Sequence, residues 1–593
     1  MKADKTRNYY KTEKEDYLQF LRNNITASYK VAKEGTIENI NKMDKEIATK
    51  LDIDDRLHVT KKCDSYITIK DHKPNYNNNP KFRLINPSKP DMGMVSKKML
   101  SKIVKDVKEK SHLLQWKNTD AVIAWFKQLQ HKEKLQFIQF DVIDFYGSIS
   151  EELLDSSITF AAKYSKIDEL TKKAIKQAAQ SFLYSEEKVW IKKSGGTFDV
   201  TMGGYHGAEI CEIVGLYLLS QLSKVIPSQF IGLYRDDGLA VSSARPRQVE
   251  LLKKKNCKVF AENNLRVTIE ANVKVVNFLD VSLDLSRNIY KPFIKENDTP
   301  VYVNVHSNHP RNILRNIPLG INNRLNRISA NEDVFNEAAA PYQEALIKSG
   351  YTHQLEFEAP NFQNPKKKCR KREVLWFNPP FSLNVKTHIG KEFLSLLDKS
   401  FPMGHQFRKI FNRSTVKIGY KCMPNMAAAI NSHNKKILKP ASDIAEQPKC
   451  ICKRGPDCPV QGTCSQKWVV YSATVTENRS QKTETYTGLT SRPFKVRWEE
   501  HLRNFERPDD RNKSKLSGHI WDLKDRGLEY SLSWSIIDKA PPYNSSTKKC
   551  LLCLKEKHHI MYDRGRSSLN KRSEVFNTCR HRTQSLLCNL KSR

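Results

Sequence analysis

The sequence predicts an α+β protein of several domains, and three observations carry that prediction. The chain has 593 residues, which is too many for a single hydrophobic core. Apolar β-rich runs alternate with helical patterns along most of its length. Hydrophobic residues make up 39% of the chain, which is enough to fill packed cores and excludes a disordered polybasic segment.

The charge of the chain favours a polyanionic partner. Lys and Arg number 101, Asp and Glu number 65, and the difference is a net charge of +36. Such a surplus repels itself unless a polyanion neutralises it, and a phosphate backbone suits spread-out basic residues. Nucleic acid is therefore the expected partner, with a purely structural basic binder as the alternative.

The sequence contains no run of the ~20 apolar residues that span a bilayer, and its first residues have no apolar signal core. We therefore expect an intracellular chain with no membrane partner. In a reducing compartment its 13 cysteines are not expected to form disulfides. Five are scattered over the first 449 residues and eight are clustered in the last 144, where metal binding is expected.

The first elements are helical and then β. Two amphipathic patterns predict an N-terminal helical segment over 1–60. The runs YITIKDHKP and FRLINP, on either side of an Asn-rich turn, predict a hairpin that carries Lys73 and Arg83. Helix is expected over 97–130, and QFIQFDVIDFYGSI at 136–149 predicts a strand that ends in a turn.

The central elements surround a second hairpin. Helices are predicted over 151–183, and the Gly-punctuated run FDVTMGGYHGAE then opens a long apolar helix. QFIGLYRDDGLAVSS at 229–243 has apolar β-rich runs on both sides of a polar turn, which indicates a hairpin. Helical sequence is expected over 310–350, followed by the basic run KKKCRKR at 366–372 and a domain boundary near 440–449.

Four carboxylates lie at two of these strand ends. Asp141 and Asp144 end one predicted strand, and Asp236 and Asp237 form the tip of a hairpin 95 residues later. Carboxylates beside apolar strands repel one another unless a cation neutralises them, and Mg²⁺ takes oxygen ligands from carboxylates and substrate phosphates. Two such ions clamp the attacking and leaving oxygens of phosphoryl transfer, here with a 3′-hydroxyl as nucleophile.

These motifs resemble those of reverse transcriptases. FDVIDFY resembles their first catalytic motif, and YRDD resembles their second. The resemblance implies that Asp141 and Asp236 bind two catalytic Mg²⁺ ions, with Asp237 supporting the metal site. It also implies that Tyr146 packs under the sugar and screens against a 2′-hydroxyl. Further nucleotide contacts are implied for Lys73, Arg83 and Gly204.

Other runs indicate a subfamily. IKDHKP, RLINP, YVNVHSNHP, IPLGINNRL and WFNPPFSLNV resemble Penelope-like retroelement reverse transcriptases, relatives of the catalytic subunit of telomerase. The resemblance covers about 60–440 and implies a right-hand polymerase, with fingers and palm over 61–290 and a helical thumb and basic linker over 291–440. The chain departs from the family at Gly147, where Pro is usual. Gly permits the same turn but fixes it less firmly.

A second constellation lies in the last quarter of the chain. KWVVYSATV and ETYTGLT predict a hairpin carrying Tyr471 and Tyr486, and Arg497 and His501 share a face of the helix that follows. Together they resemble the GIY-YIG endonuclease domain, here over 467–593.

This second resemblance implies phosphodiester hydrolysis. The tyrosines and the histidine would position or activate water, the arginine would meet the phosphate, and a carboxylate would hold one Mg²⁺. Glu556, on a later predicted helix, is the candidate carboxylate. Asn570 is the candidate for the late asparagine of the family pattern, with Asn577 as the alternative.

Two cysteine clusters are candidate zinc sites. CICKRGPDCPVQGTC, in a segment over 445–466, suits a tetrahedral Zn²⁺, although its spacing is not that of an ordinary finger and ligands shared with the nuclease core are an alternative. Its expected ligands are Cys450, Cys452, Cys458 and Cys464. A second possible set is Cys550, Cys553, Cys579 and His581. Alternatively, CLLC at 550–553 is only the apolar face of a helix.

The favoured hypothesis is a retroelement protein with two activities. The resemblances imply that the nuclease nicks chromosomal DNA and that the exposed 3′ end primes copying of the element's RNA from deoxynucleoside triphosphates. We expect nuclear localisation, with KKKCRKR as a nucleic-acid contact, an import signal or a solvated linker. The alternatives are a telomerase-like polymerase and a catalytically silent nucleic-acid-binding protein.

Overall fold

A computed structural model describes most of the chain. It describes all residues except 7, 72–75, 77, 295–298, 359–373, 386–387, 406, 439–449, 451, 453–457, 544–549, 563–568, 571–578, 580, 582–585 and 588–593. The predictions for Lys73, KKKCRKR, Asn577 and the boundary near 440–449 lie outside the described residues. Helices and strands alternate in the rest, which confirms the α+β prediction.

The first elements confirm the predicted helices and hairpin. They are α1 (Lys14–Ser28), β1 (Tyr29–Val31), α2 (Thr36–Lys50), β2 (Tyr66–Ile69) and β3 (Phe82–Ile85). β2 and β3 pair antiparallel, with Thr68 opposite Arg83. Residues before α1 lie along this hairpin, because Ala3 bridges Ile69 and the Asp4 N–H donates to the Ile69 carbonyl at 2.8 Å.

The central region is built on a five-stranded sheet of order β10-β5-β9-β8-β4. Its elements are α3 (Asp91–Ser111), β4 (Leu114–Gln115), α4 (Thr119–Gln128), β5 (Gln136–Val142), α5 (Phe145–Ser148), α6 (Glu151–Ala161), α7 (Glu169–Ala178), β6 (Leu183–Ser185), β7 (Lys188–Lys192), α8 (Gly207–Leu222), β8 (Ile231–Tyr234), β9 (Asp237–Ser242), α9 (Pro246–Glu262) and β10 (Val267–Val273). The predicted hairpin at 229–243 is confirmed by the antiparallel pair β8-β9.

The β6-β7 hairpin, which joins β1 in a separate three-stranded sheet, was not predicted. Its turn consists of Glu186 and Glu187, both at positive φ (49° and 60°). Such turns usually carry Gly, Asn or Asp, so the sequence has no turn signal at this point.

Both faces of the central sheet are covered. Ile138 and Phe140 of β5 belong to one core, which also contains the apolar helix α8 and parts of α3, α6 and α9. Phe137 and Leu239 point to the opposite face and pack with α4. Successive strand residues alternate between faces, so the sheet is held between two apolar layers and its position is well determined.

The next region contains a three-stranded sheet of order β11-β12-β13, a two-stranded sheet of β14 and β15, and four helices. Its elements are β11 (Val275–Phe278), β12 (Val281–Asp284), β13 (Ile289–Pro292), α10 (Arg311–Ile328), α11 (Glu332–Lys348), β14 (Leu375–Phe377), α12 (Ile389–Ser400), β15 (Val416–Ile418) and α13 (Met426–Leu438). The helical prediction for 310–350 is confirmed by α10 and α11. Asn331 caps α11, because its side chain accepts the Val334 N–H at 3.0 Å.

The last region has a small sheet of order β17-β16-β18. Its elements are β16 (Val469–Glu477), β17 (Thr483–Thr490), α14 (Phe494–Glu506), α15 (Lys515–Asp525), β18 (Tyr530–Lys539) and α16 (Leu551–Tyr562). The β16-β17 pair confirms the hairpin predicted for KWVVYSATV and ETYTGLT. Among the described residues, we find no helix with the length and apolar character required to cross a membrane.

Candidate functional sites

Strand pairing brings the first carboxylate constellation together. Asp141 on β5 lies directly opposite Asp237 on β9. The Val142 N–H donates to the Asp236 carbonyl at 3.1 Å, so the hairpin tip is bonded to the end of β5. Facing residues of antiparallel strands have Cβ atoms about 5 Å apart. Acidic residues that are distant in sequence therefore meet at one end of the central sheet.

A glycine is required beside this pair. Gly238 lies opposite Phe140, one position before Asp141. A Cβ at Gly238 would overlap the ring of Phe140, which is buried in the core. The tip of the hairpin is a tight turn with Arg235 at φ +57°. The Gly in YRDDG thus allows β9 to approach β5 closely enough to align the two aspartates.

Tyr146 lies between the strand end and α8. A Cβ at Gly207, the first residue of α8, would lie 3.4 Å from the Tyr146 ring. Burial, with smaller contributions from charges that include Asp236, raises the pKa of Tyr146 to about 12. The Tyr146 hydroxyl therefore stays protonated at neutral pH. The YHG segment before α8 and the carboxylate site border the same aromatic ring.

Two of the other predicted nucleotide contacts are described. Arg83 Nη1 donates to Asp4 Oδ1 at 2.8 Å, and 31% of the Arg83 side chain is exposed. A triphosphate that binds Arg83 has to share it with Asp4 or displace Asp4. Gly204 follows Gly203, which is at φ +106°. A Cβ at Gly203 would lie only 3.0 Å from the Asn86 carbonyl oxygen, so the two backbone segments are close together. The RLINP and TMGG runs therefore touch.

A buried network beside Tyr146 was missed by the sequence reasoning. The Lys192 ammonium donates to the Gly147 carbonyl and lies 3.4 Å from Asp199 Oδ1. The Tyr29 hydroxyl donates to Asp199 Oδ2 at 2.7 Å. Burial raises the pKa of Asp199. No local pattern marks these residues, because β1, β7 and the segment before α8 meet only in the folded chain.

The second constellation forms one buried cluster. Tyr471 on β16 bonds His501 Nε2 at 2.7 Å, and Arg497 Nε donates to the Tyr471 oxygen at 3.2 Å. The rings of Tyr486 and His501 have centroids 6.1 Å apart. The four side chains predicted from β16, β17 and α14 therefore meet at one place.

Burial and the charge of Arg497 lower the pKa of His501 to about 3, so this ring is neutral at ordinary pH. Its Nδ1 is buried and lacks a hydrogen-bond partner within the described part of the chain. A buried N–H without a partner is rarer in proteins than a buried acceptor without one. The unpartnered Nδ1 is therefore assigned as the acceptor, and the hydrogen lies on Nε2. In that tautomer His501 and Arg497 both donate to the Tyr471 oxygen. Arg497 also pairs with Glu500 at 3.0 Å.

Two motif residues shape β17 around Tyr471. Gly488 lies directly opposite Tyr471, and a Cβ there would lie 2.5 Å from the tyrosine oxygen. The Gly of YTG therefore makes room for the hydroxyl. Asn570 accepts the Thr487 N–H at 2.7 Å and donates to the Thr487 carbonyl at 3.0 Å. These two bonds fasten the backbone between Tyr486 and Gly488.

Glu556 is half-buried on α16, which packs against β16 and β17. On either side of it, Lys555 and His559 contact Asp538 of β18, at 2.6 and 3.2 Å. These contacts fasten the helix that carries Glu556 to the sheet. Asp538 stands in no recognisable motif, and the sequence reasoning missed it.

The first cysteine cluster converges. The sulfur atoms of Cys450, Cys452, Cys458 and Cys464 all lie within 4.8 Å of one another. The Cys450–Cys464 and Cys452–Cys464 sulfur distances are 3.6 and 3.5 Å. A tetrahedral zinc with bonds of about 2.3 Å needs sulfur separations of about 3.8 Å, so these thiols fit the ion. All four ligands come from the segment itself, unlike the alternative of ligands shared with the nuclease core.

This cluster is joined to α14. The carbonyls of Cys464 and Gln466 accept the N–H groups of Lys495 and Phe494, both at 2.9 Å. The first N–H groups of a helix have no partner within the helix. The cysteine segment therefore caps the helix that carries Arg497.

The second set also converges, within 4.8 Å. His581 Nδ1 lies 3.3 Å from the sulfurs of both Cys550 and Cys553, and Cys579 lies 3.5 Å from Cys553. This geometry favours a metal-ligand set over a purely apolar face for CLLC. Cys550 and Cys553 stand at the start of α16, so a bound ion would fix the helix of Glu556.

Sequence comparison finds one family. The model of the animal helix-turn-helix domain matches residues 301–359, which contain α10, a three-residue connection and α11. No protein of curated function matches the chain.

The solved structures to which the chain is similar include nucleic-acid polymerases. An apo telomerase from Candida tropicalis, truncated from its C-terminal domain, is 14% identical, with TM-score 0.30 over 43% of this chain and 60% of that one. A telomerase from Candida albicans with a TWJ fragment of telomeric RNA is 10% identical, with TM-score 0.39 over 57% of each chain. The RNA-dependent RNA polymerase of BmCPV is 12% identical, with TM-score 0.33 over 57% and 30%. The chain thus spans less than two thirds of each of these structures.

Proposed function

We propose that the chain is an RNA-directed DNA polymerase of a Penelope-like retroelement and that it also nicks DNA. The observation that carries the polymerase is the pairing of Asp141 with Asp237 beside the turn at Asp236. Like charges directly opposite each other destabilise a strand pair, so this arrangement is favourable when divalent cations lie among the carboxylates. Asp141 and Asp236 would hold two Mg²⁺ ions, with Asp237 in support.

The residues around the carboxylates would bind and orient the substrates. Bound Mg²⁺ ions would stabilise the attacking and leaving oxygens of nucleotide transfer. The Tyr146 ring, next to Asp236 and α8, would pack under the sugar of the incoming nucleotide. Arg83 would pair with the triphosphate after exchanging its contact with Asp4, because a guanidinium binds phosphate through several donors at once. Gly204 would allow the backbone close to the nucleotide.

The proposed nuclease is of the GIY-YIG type, with Tyr471 at its centre. Two donors on the Tyr471 oxygen stabilise its deprotonated form, so this oxygen suits the task of taking a proton from water. Arg497, whose side chain is 22% exposed, would meet the phosphate. Glu556 would hold one Mg²⁺, and Asn570 would keep Tyr486 in place through the backbone of Thr487.

The two activities would act in sequence during target-primed reverse transcription and integration. A nick in chromosomal DNA exposes a 3′-hydroxyl, and this group is the primer that a polymerase needs to copy the element's RNA. Deoxynucleoside triphosphates, template RNA and target DNA are then the partners, and the nucleus is the expected location. Zinc at the cysteine clusters would hold the nuclease helices.

The test is incubation of the purified chain with an RNA template, supercoiled DNA, deoxynucleotides and Mg²⁺. We expect nicked circles and DNA strands that begin at the nick. Asp236→Ala/Asp237→Ala should keep nicking and lose extension, whereas Glu556→Ala should lose nicking and still extend a supplied primer. Glu506→Ala, at the exposed end of α14, is the matched control. Extension of a supplied primer without nicking would favour a telomerase-like polymerase, and a folded chain with neither activity would favour a silent binder.

A further inference from the structure

The turn after Asp141 has its most flexible residue next to Tyr146. Gly147 lies within the short helix α5, and Asp144 just before this helix is at φ +51°. Glycine has the largest backbone freedom of all residues. Two backbone bonds close the turn, from the Ser148 N–H to the Asp144 carbonyl at 2.9 Å and from the Ile149 N–H to the Tyr146 carbonyl at 3.4 Å, so a short turn with a central glycine has little stiffness of its own.

Lys192 supplies a restraint from outside the turn. Its ammonium donates to the Gly147 carbonyl and pairs with Asp199. The side chains of Lys192 and Asp199 are only 14% and 6% exposed. A buried ammonium is costly unless a counter-charge and hydrogen bonds satisfy it. Asp199 is that counter-charge, and the Gly147 carbonyl is a further acceptor.

Tyr29 holds the Lys192–Asp199 pair in place. Tyr29 lies directly opposite Lys192 in the β1-β7 pair, and its hydroxyl donates to Asp199 at 2.7 Å. The three side chains are therefore held by a strand pair and by each other. Within the described part of the chain, these three side chains hydrogen-bond one other group besides each other, the Gly147 carbonyl in the turn that carries Tyr146.

We propose that Lys192 is a positioning residue for sugar selection, which acts through the Gly147 carbonyl to hold Tyr146 in place. Asp199 and Tyr29 keep the Lys192 ammonium aimed at that carbonyl. The lysine thus supplies the stiffness that a proline at position 147 would otherwise provide. This inference rests on the proposed polymerase function, because Tyr146 is assigned there to the sugar of the incoming nucleotide.

The experiment compares Lys192→Met/Asp199→Asn with the unchanged chain. The double substitution removes both buried charges together, so neither is left unpaired. Primer extension on an RNA template would be measured with each deoxynucleotide and its ribonucleotide, giving kcat and KM separately. We expect the preference for deoxynucleotides to fall at least about tenfold, since small misplacements near reacting groups cost up to about 10²-fold. Lys172→Met/Asp155→Asn, a 3.1 Å pair joining α7 to α6, is the control and should keep that preference.

A rescue separates positioning from general stability. Adding Gly147→Pro to Lys192→Met/Asp199→Asn should recover part of the lost preference, because proline fixes φ near −65° without any lysine. A Cβ at position 147 would lie 2.8 Å from Asp144 Oδ2, so the Asp144 side chain has to rotate to admit the proline. If the double variant does not fold, Tyr29→Phe, which weakens the hold on Asp199, should give a smaller shift in the same direction. A folded double variant with unchanged sugar preference would overturn the proposal.

Hydrogen exchange distinguishes failure of this proposal from failure of the proposed function. If the unchanged chain incorporates no nucleotide, the polymerase assignment fails and with it the role in sugar selection. The clamp is then judged by amide exchange over residues 144–149. Faster exchange in Lys192→Met/Asp199→Asn than in the control pair supports the clamp, and equal exchange contradicts it.

Discussion

In the buried cluster around Tyr471, burial determines the charge state of His501. His501 is enclosed by aromatic rings and lies beside Arg497, so its protonated form is doubly unfavourable. It therefore acts as a neutral hydrogen-bonding group rather than as a cation. The neutral ring can donate to the Tyr471 oxygen without placing a second positive charge beside Arg497.

The pH dependence of stability tests this charge state. The pKa of His501 falls from about 6.5 in the unfolded chain to about 3 when folded, so the unfolded state binds more protons between these values. Stability contributed by the neutral ring is present above pH 6.5 and is lost as pH falls, by about 2 kcal/mol between pH 6.5 and 5. Thermal melting at several pH values should show a steeper acid loss for the unchanged chain than for His501→Gln. Parallel curves would contradict the assignment.

Substitution of Gly238 tests whether β5 and β9 must lie close together. The Cβ of Gly238→Ala would overlap the Phe140 ring, and overpacking of this kind costs about 1–3 kcal/mol. Because β9 must move away from β5, we expect primer extension to fall while nicking persists. Gly320→Ala is the control, since a Cβ there meets no atom within 4 Å. Normal extension by Gly238→Ala would show that the close β5-β9 approach is unnecessary.

At the scale of elements, the last region joins each candidate metal cluster to one functional helix. The segment of Cys464 caps α14, and the set around His581 lies at the start of α16, which a bound ion would fix. β18 adds Asp538 beneath α16. The helices that carry Arg497 and Glu556 are thus placed by side chains outside the motif itself.

Metal removal tests the role of the first cluster. Cys452→Ser removes one of the four proposed zinc ligands. Because the ion would hold the cysteine segment together, its loss should loosen the cap on α14. We expect at least a tenfold loss of nicking, unchanged extension of a supplied primer, and one zinc fewer per chain by elemental analysis. Cys422→Ser, at an exposed cysteine outside both clusters, is the control. Full nicking by a zinc-depleted Cys452→Ser protein would separate the metal from the nuclease.

The whole molecule is a basic protein whose candidate sites depend on a few acids. Its net charge of +36 favours any nucleic acid. Under the proposed function, Asp141 and Asp237 in one site and Glu556 in the other would supply what basic residues cannot, namely ligands for cations. Basic side chains would therefore attract the nucleic acid, and acidic side chains would take part in the chemistry on it.

The affinity of the chain for nucleic acid should depend strongly on salt. Binding to duplex DNA without a specific sequence should weaken by about 10³-fold or more between 50 and 200 mM salt, as expected for six or more phosphate contacts. Fluorescence anisotropy with a labelled duplex measures it. Asp236→Ala/Asp237→Ala should show the same salt slope, because these carboxylates are proposed to contact metal and not backbone phosphate. A shallow slope would indicate that most of the positive charge faces no nucleic acid.

The sequence by itself determined the motif residues and the strands that carry them. FDVIDFY, YRDD and the VVY and YTG runs are local patterns, and pairing within one hairpin brings Tyr471 to Gly488. Asp141 meets Asp237 through the β5-β9 pair, whose strands are far apart in the chain, so folding of the central sheet is also needed there. Hairpin neighbours are encoded by alternation and turn residues within a few positions of one another.

Only the tertiary structure decided the contacts that hold those motifs. Arg83 meets Asp4, Lys192 meets Gly147, and Asn570 meets Thr487 across 79, 45 and 83 residues. Such contacts arise when separately folded elements pack, and no periodicity of the local sequence records which side chain will face which backbone group. The physical reason is that local patterns specify which face of an element is buried, whereas the partner on that face is chosen by the packing of the whole chain.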